Sequence, residues 1–283
     1  MKRPIVMIIM LLICITTYAQ NSWLGVSSTA FTTLQMDDSS ISSSKIGWGA
    51  GIGFAYQWQK KRFIMEFGLD ATYNYHHIGL TDTILSFSMI DTKGTPFQYK
   101  GVLANREDIC RTMAISIPMM FGMEFNYLYF LAGINLNLNL FGTSFSCANL
   151  TTSGKYDIFY DELVNIPSHG FTDNQPITST GNITYNIDIR PTIEFGTVFN
   201  KKFKKSKVHL GIYAEYGILN ALPSNNIEEL IIPDLGQYMQ LDMNHFYTTP
   251  HASYLHHFVV GVRFKALLQI SSNNKNKCRC VWE

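Results

Sequence analysis

His251-Ala252-Ser253 sets an imidazole two residues from a hydroxyl. Acyl transfer uses such a pair when a third group orients the base. Here the position after the serine is Tyr254, and no acid follows until Glu283. His76-His77 and His256-His257 are adjacent imidazole pairs. Neighbouring residues of a strand point to opposite faces, so each pair offers one ligand to a shared metal. Cys110 and Cys147 are placed for an export-compartment disulfide, and Cys278-Arg279-Cys280 for a free thiol pair, a strained local bridge or a simply disordered tail; both questions stay open at this point. These patterns lead us to expect no catalytic, no cofactor-binding and no metal-binding residues, and therefore a non-enzymatic protein.

The elements that would carry these groups belong to an unusual chain. Its 283 residues are only 15% charged, against about 25% in ordinary soluble domains. A mean hydropathy of +0.03 is too low for a bundle of membrane helices. A net charge of +1 argues against nucleic acid held by bulk charge. Lys2 and Arg3 precede an apolar run from Ile5 to Ile15, and Thr17-Tyr18-Ala19 supplies a small-x-small cleavage site. That is the pattern of a secretory signal peptide over 1–19. No later apolar stretch has the length of a spanning helix, so a membrane-embedded mature chain must cross as strands.

Period-two alternation supplies the strands. Ile46, Trp48, Ala50, Ile52, Phe54, Tyr56 and Trp58 alternate with Gly47, Gly49, Gly51 and Gly53. Similar patterns run over 63–75, 183–199 and 258–268, with weaker ones at 22–33, 109–124, 128–141 and 207–219. Eight segments result, and their connections alternate long and short. A soluble sheet has no reason to keep its long loops at one end, whereas outer-membrane barrels do. The expected fold is all-β: an eight-stranded antiparallel up-and-down transmembrane β-barrel over 20–270, with long extracellular loops, short periplasmic turns and a polar periplasmic tail over 271–283.

In that fold the apolar parity meets lipid and the polar parity fills the lumen. Glu66, Asp70, Glu124, Asp188, Glu194 and Glu215 then point inward with Arg190, Arg263 and Lys265. Eight strands leave room only for side chains, so these charges are expected to pair into a plug. Lys60, Lys61, Arg62, Lys201, Lys202, Lys204, Lys205 and Lys207 mark the short turns as basic, while Asp157, Asp161, Glu162, Glu228 and Glu229 fall in long loops. Trp58, Phe63 and Phe199 form one expected lipid-facing girdle; Trp48, Tyr73, Tyr75, Tyr185 and Tyr216 form the other. Pro118 removes a ladder donor in mid-strand, which predicts a β-bulge there.

The signal ending Tyr18-Ala19-Gln20, the segment Ile115-Ser116-Ile117-Pro118-Met119-Met120-Phe121-Gly122 and the segment Glu215-Tyr216-Gly217-Ile218-Leu219-Asn220 resemble the PorT-like outer-membrane barrels of Bacteroidota. Their transmembrane domain is similar to the OmpA-type eight-stranded barrel. The resemblance spans the mature chain and implies a cell outer membrane location with no catalytic residues; one member of the family is associated with type IX secretion. His251-x-Ser253 separately resembles the His-x-Ser element of outer-membrane lipid A deacylases, apart from Tyr254. The expected partners are outer-membrane lipid and lipopolysaccharide, with a protein partner at the loops or periplasmic turns and no nucleic acid. A purely structural barrel and a lipid-modifying hydrolase are the alternatives.

Overall fold

Alternation is realised as eight long strands whose two faces differ in chemistry. They are β1 (Asn21–Asp37), β2 (Ile46–Lys60), β3 (Phe63–Leu80), β4 (Pro96–Phe125), β5 (Leu128–Tyr156), β6 (Asp188–Phe199), β7 (Ser206–Tyr216) and β8 (Leu255–Ser272). The computed structural model describes residues 21–39, 42–43, 46–91, 93–158, 161–166, 171–199, 205–222, 231–234, 240–249 and 253–272. The expected signal peptide, Lys201, Lys202, Lys204, Glu228, Glu229, His251, Cys278 and Cys280 lie outside the described residues.

Each strand pairs antiparallel with the next, from β1–β2 through β7–β8. β8 then returns to β1, from Asn21↔Ser272 to Asp37↔Leu255. The ring is closed: an eight-stranded antiparallel up-and-down transmembrane barrel. Closure matters because hydrocarbon offers no water to satisfy an open edge. The outer face carries Ile52, Phe54, Ile212 and Phe195, each more than half exposed, while Glu66, Glu194, Arg263 and Lys265 are buried within. A soluble barrel would have the reverse. Turns 61–62 and 126–127 are tight, and Lys61 and Asn126 adopt φ of 57° and 51° to make them. The connections at the opposite end, 38–45, 81–95, 157–187 and 217–254, are long.

Glycines on β2 make the lumen passable for neighbouring side chains. An inward Cβ on Gly51 would stand 2.7 Å from Thr29 Oγ1, and one on Gly47 2.5 Å from His76 Nδ1. The row therefore makes room for side chains reaching across from β1 and β3.

Several expectations need correction. β4 and β5 run for 30 and 29 residues, well past 109–124 and 128–141. Much of the expected loop sequence in 76–108 and 142–182 is strand. It pairs from Phe97↔Tyr156 downward and buries Phe97, Tyr99, Leu103, Leu150 and Tyr156 against Phe171 and Met243. Among the described residues three further strands flank this extension: Thr83–Ile90 on β4, and Gln175–Asn182 and the two-residue Leu163–Val164 on β5. Where it leaves the barrel the register shifts between Ala104 and Glu107, and Asn105 takes φ 51°. A bulge of this kind bends its strand.

Pro118 causes no bulge. The β3–β4 register is the same on both sides of it, Phe67↔Met119 and Asp70↔Ser116, and only the intervening pairs are missing. The pyrrolidine ring takes up the space opposite Gly68, where a Cβ would lie 2.7 Å from Pro118 Cγ. The shift in the barrel part of β4 falls instead between Met113 and Ala114.

The girdles also differ. Trp58 is buried, edge-on to Phe63 at 6.2 Å. Tyr185 precedes the start of β6 at Asp188, so the expected segment 183–199 loses its parity there and Tyr185 turns into the barrel mouth. Trp48 keeps its outward place, stacked 5.4 Å from Tyr75.

The two ends of the ring predict opposite exposure. An epitope inserted at Gly94, in the long connection between β3 and β4, should be labelled on intact cells, while one at Lys61 should react only after the envelope is opened. Labelling at Lys61 alone would invert the barrel.

Candidate functional site

The lumen is where the chemistry-bearing residues converge. Strands β3, β5, β6, β7 and β8 each contribute an inward residue every second position, and the narrow ring brings them within bonding distance. All nine charges expected inside are there, with Glu124 the most exposed of them at 11% of its side chain. Lys207, expected as a solvated turn residue, is a tenth member. Its ammonium is fully buried, 3.2 Å from Glu124 and 4.7 Å from the centre of the Trp23 ring. Parity along β7 brings it inward, together with His209, Tyr213 and Glu215.

At mid-barrel, Lys265 Nζ donates to Glu66 Oε1 at 2.6 Å and lies 2.8 Å from Glu194 Oε1. Tyr129 Oη donates to the same Glu194 oxygen at 2.6 Å, and Arg263 Nη1 reaches Glu194 Oε2 at 3.0 Å. Arg263 continues to Glu215 at 3.7 Å and lies over the Tyr213 ring at 4.5 Å. Asn135 Nδ2 donates to both Glu215 oxygens. Ser27 Oγ donates to Asp70 at 2.6 Å. Higher up, Arg190 Nε donates to Asp188 at 2.7 Å. Every buried carboxylate therefore has a cation or a hydrogen-bond donor, as burial of charge demands. Between Asp70, Asn135, Arg190 and Glu215 lies a cavity of about 20 Å³. That is room for a water molecule and far too little for a sugar.

The extracellular mouth is closed by loop residues that carry no sequence motif. Phe246 and Tyr247 sit fully buried among Ile78, Leu80, Cys110, Tyr185, Leu222 and Leu255. Arg106 and Asp108, both with fully buried side chains, pair at 3.1 Å and hold the segment down. Arg106 Nη2 donates to the Asn244 carbonyl, and the Phe246 N–H donates to Asp108 at 2.7 Å. Tyr247 Oη donates to Asp37 at 3.3 Å on β1. The adjacent aromatics Phe246-Tyr247 within a polar loop were the available sequence signal.

The remaining candidates are dispersed or otherwise engaged. His76 and His257 both turn inward and face each other at 5.7 Å between rings, with His257 Nδ1 3.8 Å from Asp188. His77 and His256 turn outward; His77 Nε2 meets Glu107 at 3.0 Å. Among the described residues no three His, Cys, Asp or Glu groups are placed to hold a metal. Cys110 and Cys147 are both free thiols. Cys110 pairs across the ladder with Ser144 and Cys147 with Glu107, on opposite faces of the hairpin. Ser253 is exposed, and its hydroxyl and its peptide N–H both donate to Asp38. The Ser253 hydroxyl holds the Asp38 carboxyl below the usual carboxylate range. The serine thus clasps two loops together through the Asp38 carboxylate, which accepts from both its hydroxyl and its peptide N–H.

No protein-family model matches the chain, and no curated protein matches it. Among solved structures it is similar to Ail, the attachment invasion locus protein of Yersinia pestis, in complex with the heparin analogue sucrose octasulfate. Identity there is 7%, over 87% of this chain and 99% of that chain, with a TM-score of 0.28. It is also similar to Neisserial surface protein A, at 8% identity over 87% and 96%, TM-score 0.27. A third is the outer membrane protease OmpT from Escherichia coli, at 6% identity over 89% and 97%, TM-score 0.31. Likeness at this level assigns no residue role; the fold rests on the chain's own ring of paired strands.

The network and the mouth each make an expectation. Lys265→Met leaves Glu66 and Glu194 without their ammonium and should cost about 3–5 kcal/mol. The loss is read as the urea concentration at which the heat-modifiable folded band disappears. Adding Glu66→Gln removes one stranded charge and should recover part of that loss; an unchanged midpoint for Lys265→Met would dissolve the network.

His245 lies in the mouth loop, where burial, opposed in part by Asp108 and reinforced by Arg106, lowers its imidazole below the usual 6.5. Its Nδ1 accepts the Tyr247 N–H at 3.2 Å, which requires the unprotonated nitrogen. A folded value below the unfolded one means that the opened loop binds more protons, so loop stability falls as pH drops below about 6.5. Proteolysis within 240–249 should be faster at pH 5 than at pH 7.5, and His245→Asn should flatten that difference.

Proposed function

We propose that the protein is a non-enzymatic barrel of the cell outer membrane, exported by a cleaved signal peptide, that acts by contact and not by conduction. The supporting observation is the pairing of a filled lumen with an ordered surface structure. Among the described residues ten Asp, Glu, Lys and Arg side chains occupy the interior, Phe246 and Tyr247 cork its mouth, and β4 and β5 continue beyond the barrel as the centre of a sheet with its own apolar core. A chain that conducts solutes keeps its lumen open; this one uses residues to close it. A chain that only strengthens the membrane has no use for an extended sheet above the wall.

Contact with lipid and lipopolysaccharide follows from the apolar exterior. Contact with a protein is the use that best fits the sheet, and a role in secretion or surface assembly of the PorT-like kind is compatible with that placement. The hydrolase alternative is weakened by Ser253, whose hydroxyl is committed to Asp38.

Two measurements decide between contact and the alternatives. The purified barrel in planar bilayers should give no steady conductance, and lipid A from cells with and without the protein should have the same mass. Stable channels of porin size would overturn the plugged lumen. A lipid A mass change abolished by Ser253→Ala would make the protein an enzyme.

A further inference from the structure

Among the described residues the sheet above the barrel has two long outer strands, Thr83–Ile90 and Gln175–Asn182, and their sequences treat the edge problem differently. A free edge presents unpaired N–H and C=O groups to any other strand, and proteins protect such edges with charge, proline or bulges. Gln175–Asn182 contains Pro176. Thr83–Ile90 contains none of these: it reads Thr-Ile-Leu-Ser-Phe-Ser-Met-Ile, and its register with β4 runs unbroken from Thr83↔Leu103 to Ile90↔Pro96. Among the described residues its other side pairs with no strand.

The order of side chains along this edge is close to a palindrome about Phe87. Antiparallel pairing of the strand with a second copy, two-fold about Phe87, sets Ile84 opposite Ile90, Leu85 opposite Met89, Ser86 opposite Ser88 and Phe87 opposite itself. Directly opposed side chains share a face in antiparallel pairs. Apolar thus meets apolar, hydroxyl meets hydroxyl, and no like charges oppose each other. Ile84 and Ile90, 64% and 70% exposed, would cover one another. Charge also complements at the ends: Lys93 of one copy comes level with Thr81-Asp82 of the other, while Asp91 is turned to its own turn through the N–H groups of Lys93 and Thr95.

We propose that two copies of this chain associate through the Thr83–Ile90 edges, joining their extracellular sheets into one continuous sheet. The proposal rests on the contact reading above and names the occupant of one edge. Its failure would leave the plugged lumen and the epitope topology untouched.

Ser86 and Ser88 offer a test that leaves the barrel alone. Ser86→Lys/Ser88→Lys and Ser86→Glu/Ser88→Glu each place like charges opposite each other across the two-fold. The parent in detergent micelles at micromolar concentration should have twice the monomer mass by light scattering. Each double variant should be monomeric, and their equal mixture should return to the dimer mass. Heat-modifiable migration establishes that each variant is folded. An independent reading uses single Ser86→Cys and Ser88→Cys chains with Cys147, Cys278 and Cys280 replaced by serine. Mixed and oxidised, they should crosslink several-fold more than either alone, because residues 86 and 88 are opposed while like residues are only diagonal. A monomeric parent, double variants that dimerise like the parent, or equal crosslinking of mixed and single chains would each overturn the proposal.

Discussion

Closure of the strand ring between β8 and β1 is the constraint on which everything else depends. Hydrocarbon cannot satisfy an open backbone edge, so the first and last strands must meet. With eight strands the ring is just wide enough for side chains. The inward parity is polar because the outward parity must be apolar. Ionised groups are therefore crowded into a space too small to hydrate them freely. Pairing follows from this crowding: Lys265 between two carboxylates, Arg263 bridging Glu194 to Glu215, Lys207 against Glu124.

The same narrowness explains how the mouth is sealed. At the level of Asp188 and His257 the charged column gives way to Tyr185, Cys110 and Leu255. A short segment of the long connection 217–254, carrying two aromatics, is enough to cover them. Because Phe246 and Tyr247 bring backbone polar groups with them, the seal needs Arg106 and Asp108 beneath it, as buried donors and acceptors require partners. The bend at Asn105 stands next to that clamp, so the extracellular sheet and the plug share an anchoring point.

The barrel and its contents were legible in the sequence because both follow from one period. Inward placement of Glu66, Asp70, Glu194 and Arg263 needed only alternation and the decision that apolar meant outside. What was not legible lies where alternation stops or where its sense is local. Tyr185 belongs to the residues before β6, so counting back from Ile187 put it on the wrong face. Lys207 looked like a turn residue because four lysines precede it, although its parity already matched Glu215. Phe97, Tyr99 and Leu103 alternate, but Lys100 and Gly101 between them resembled loop composition. Pro118 was read from what proline lacks; Gly68 opposite it, which supplies the space, could be identified only once the register was known. The Arg106–Asp108 clamp depends on contacts with residues 244–246, far along the chain, which no local pattern encodes.

Lys265 ties the middle of the barrel to carboxylates borne by β3 and β6, and its partner Glu66 lies 199 residues earlier. It sits on β8, the strand that closes the ring. Until that strand arrives, Glu66 and Glu194 have no ammonium between them, and β1 has no partner on its second side. Long-range closure of this kind is the slow part of folding for β topologies. The ring therefore stays open until β8 joins it on both sides. A chain lacking β8 would have neither the seam nor the central cation: an open sheet with Glu66 and Glu194 left without their ammonium.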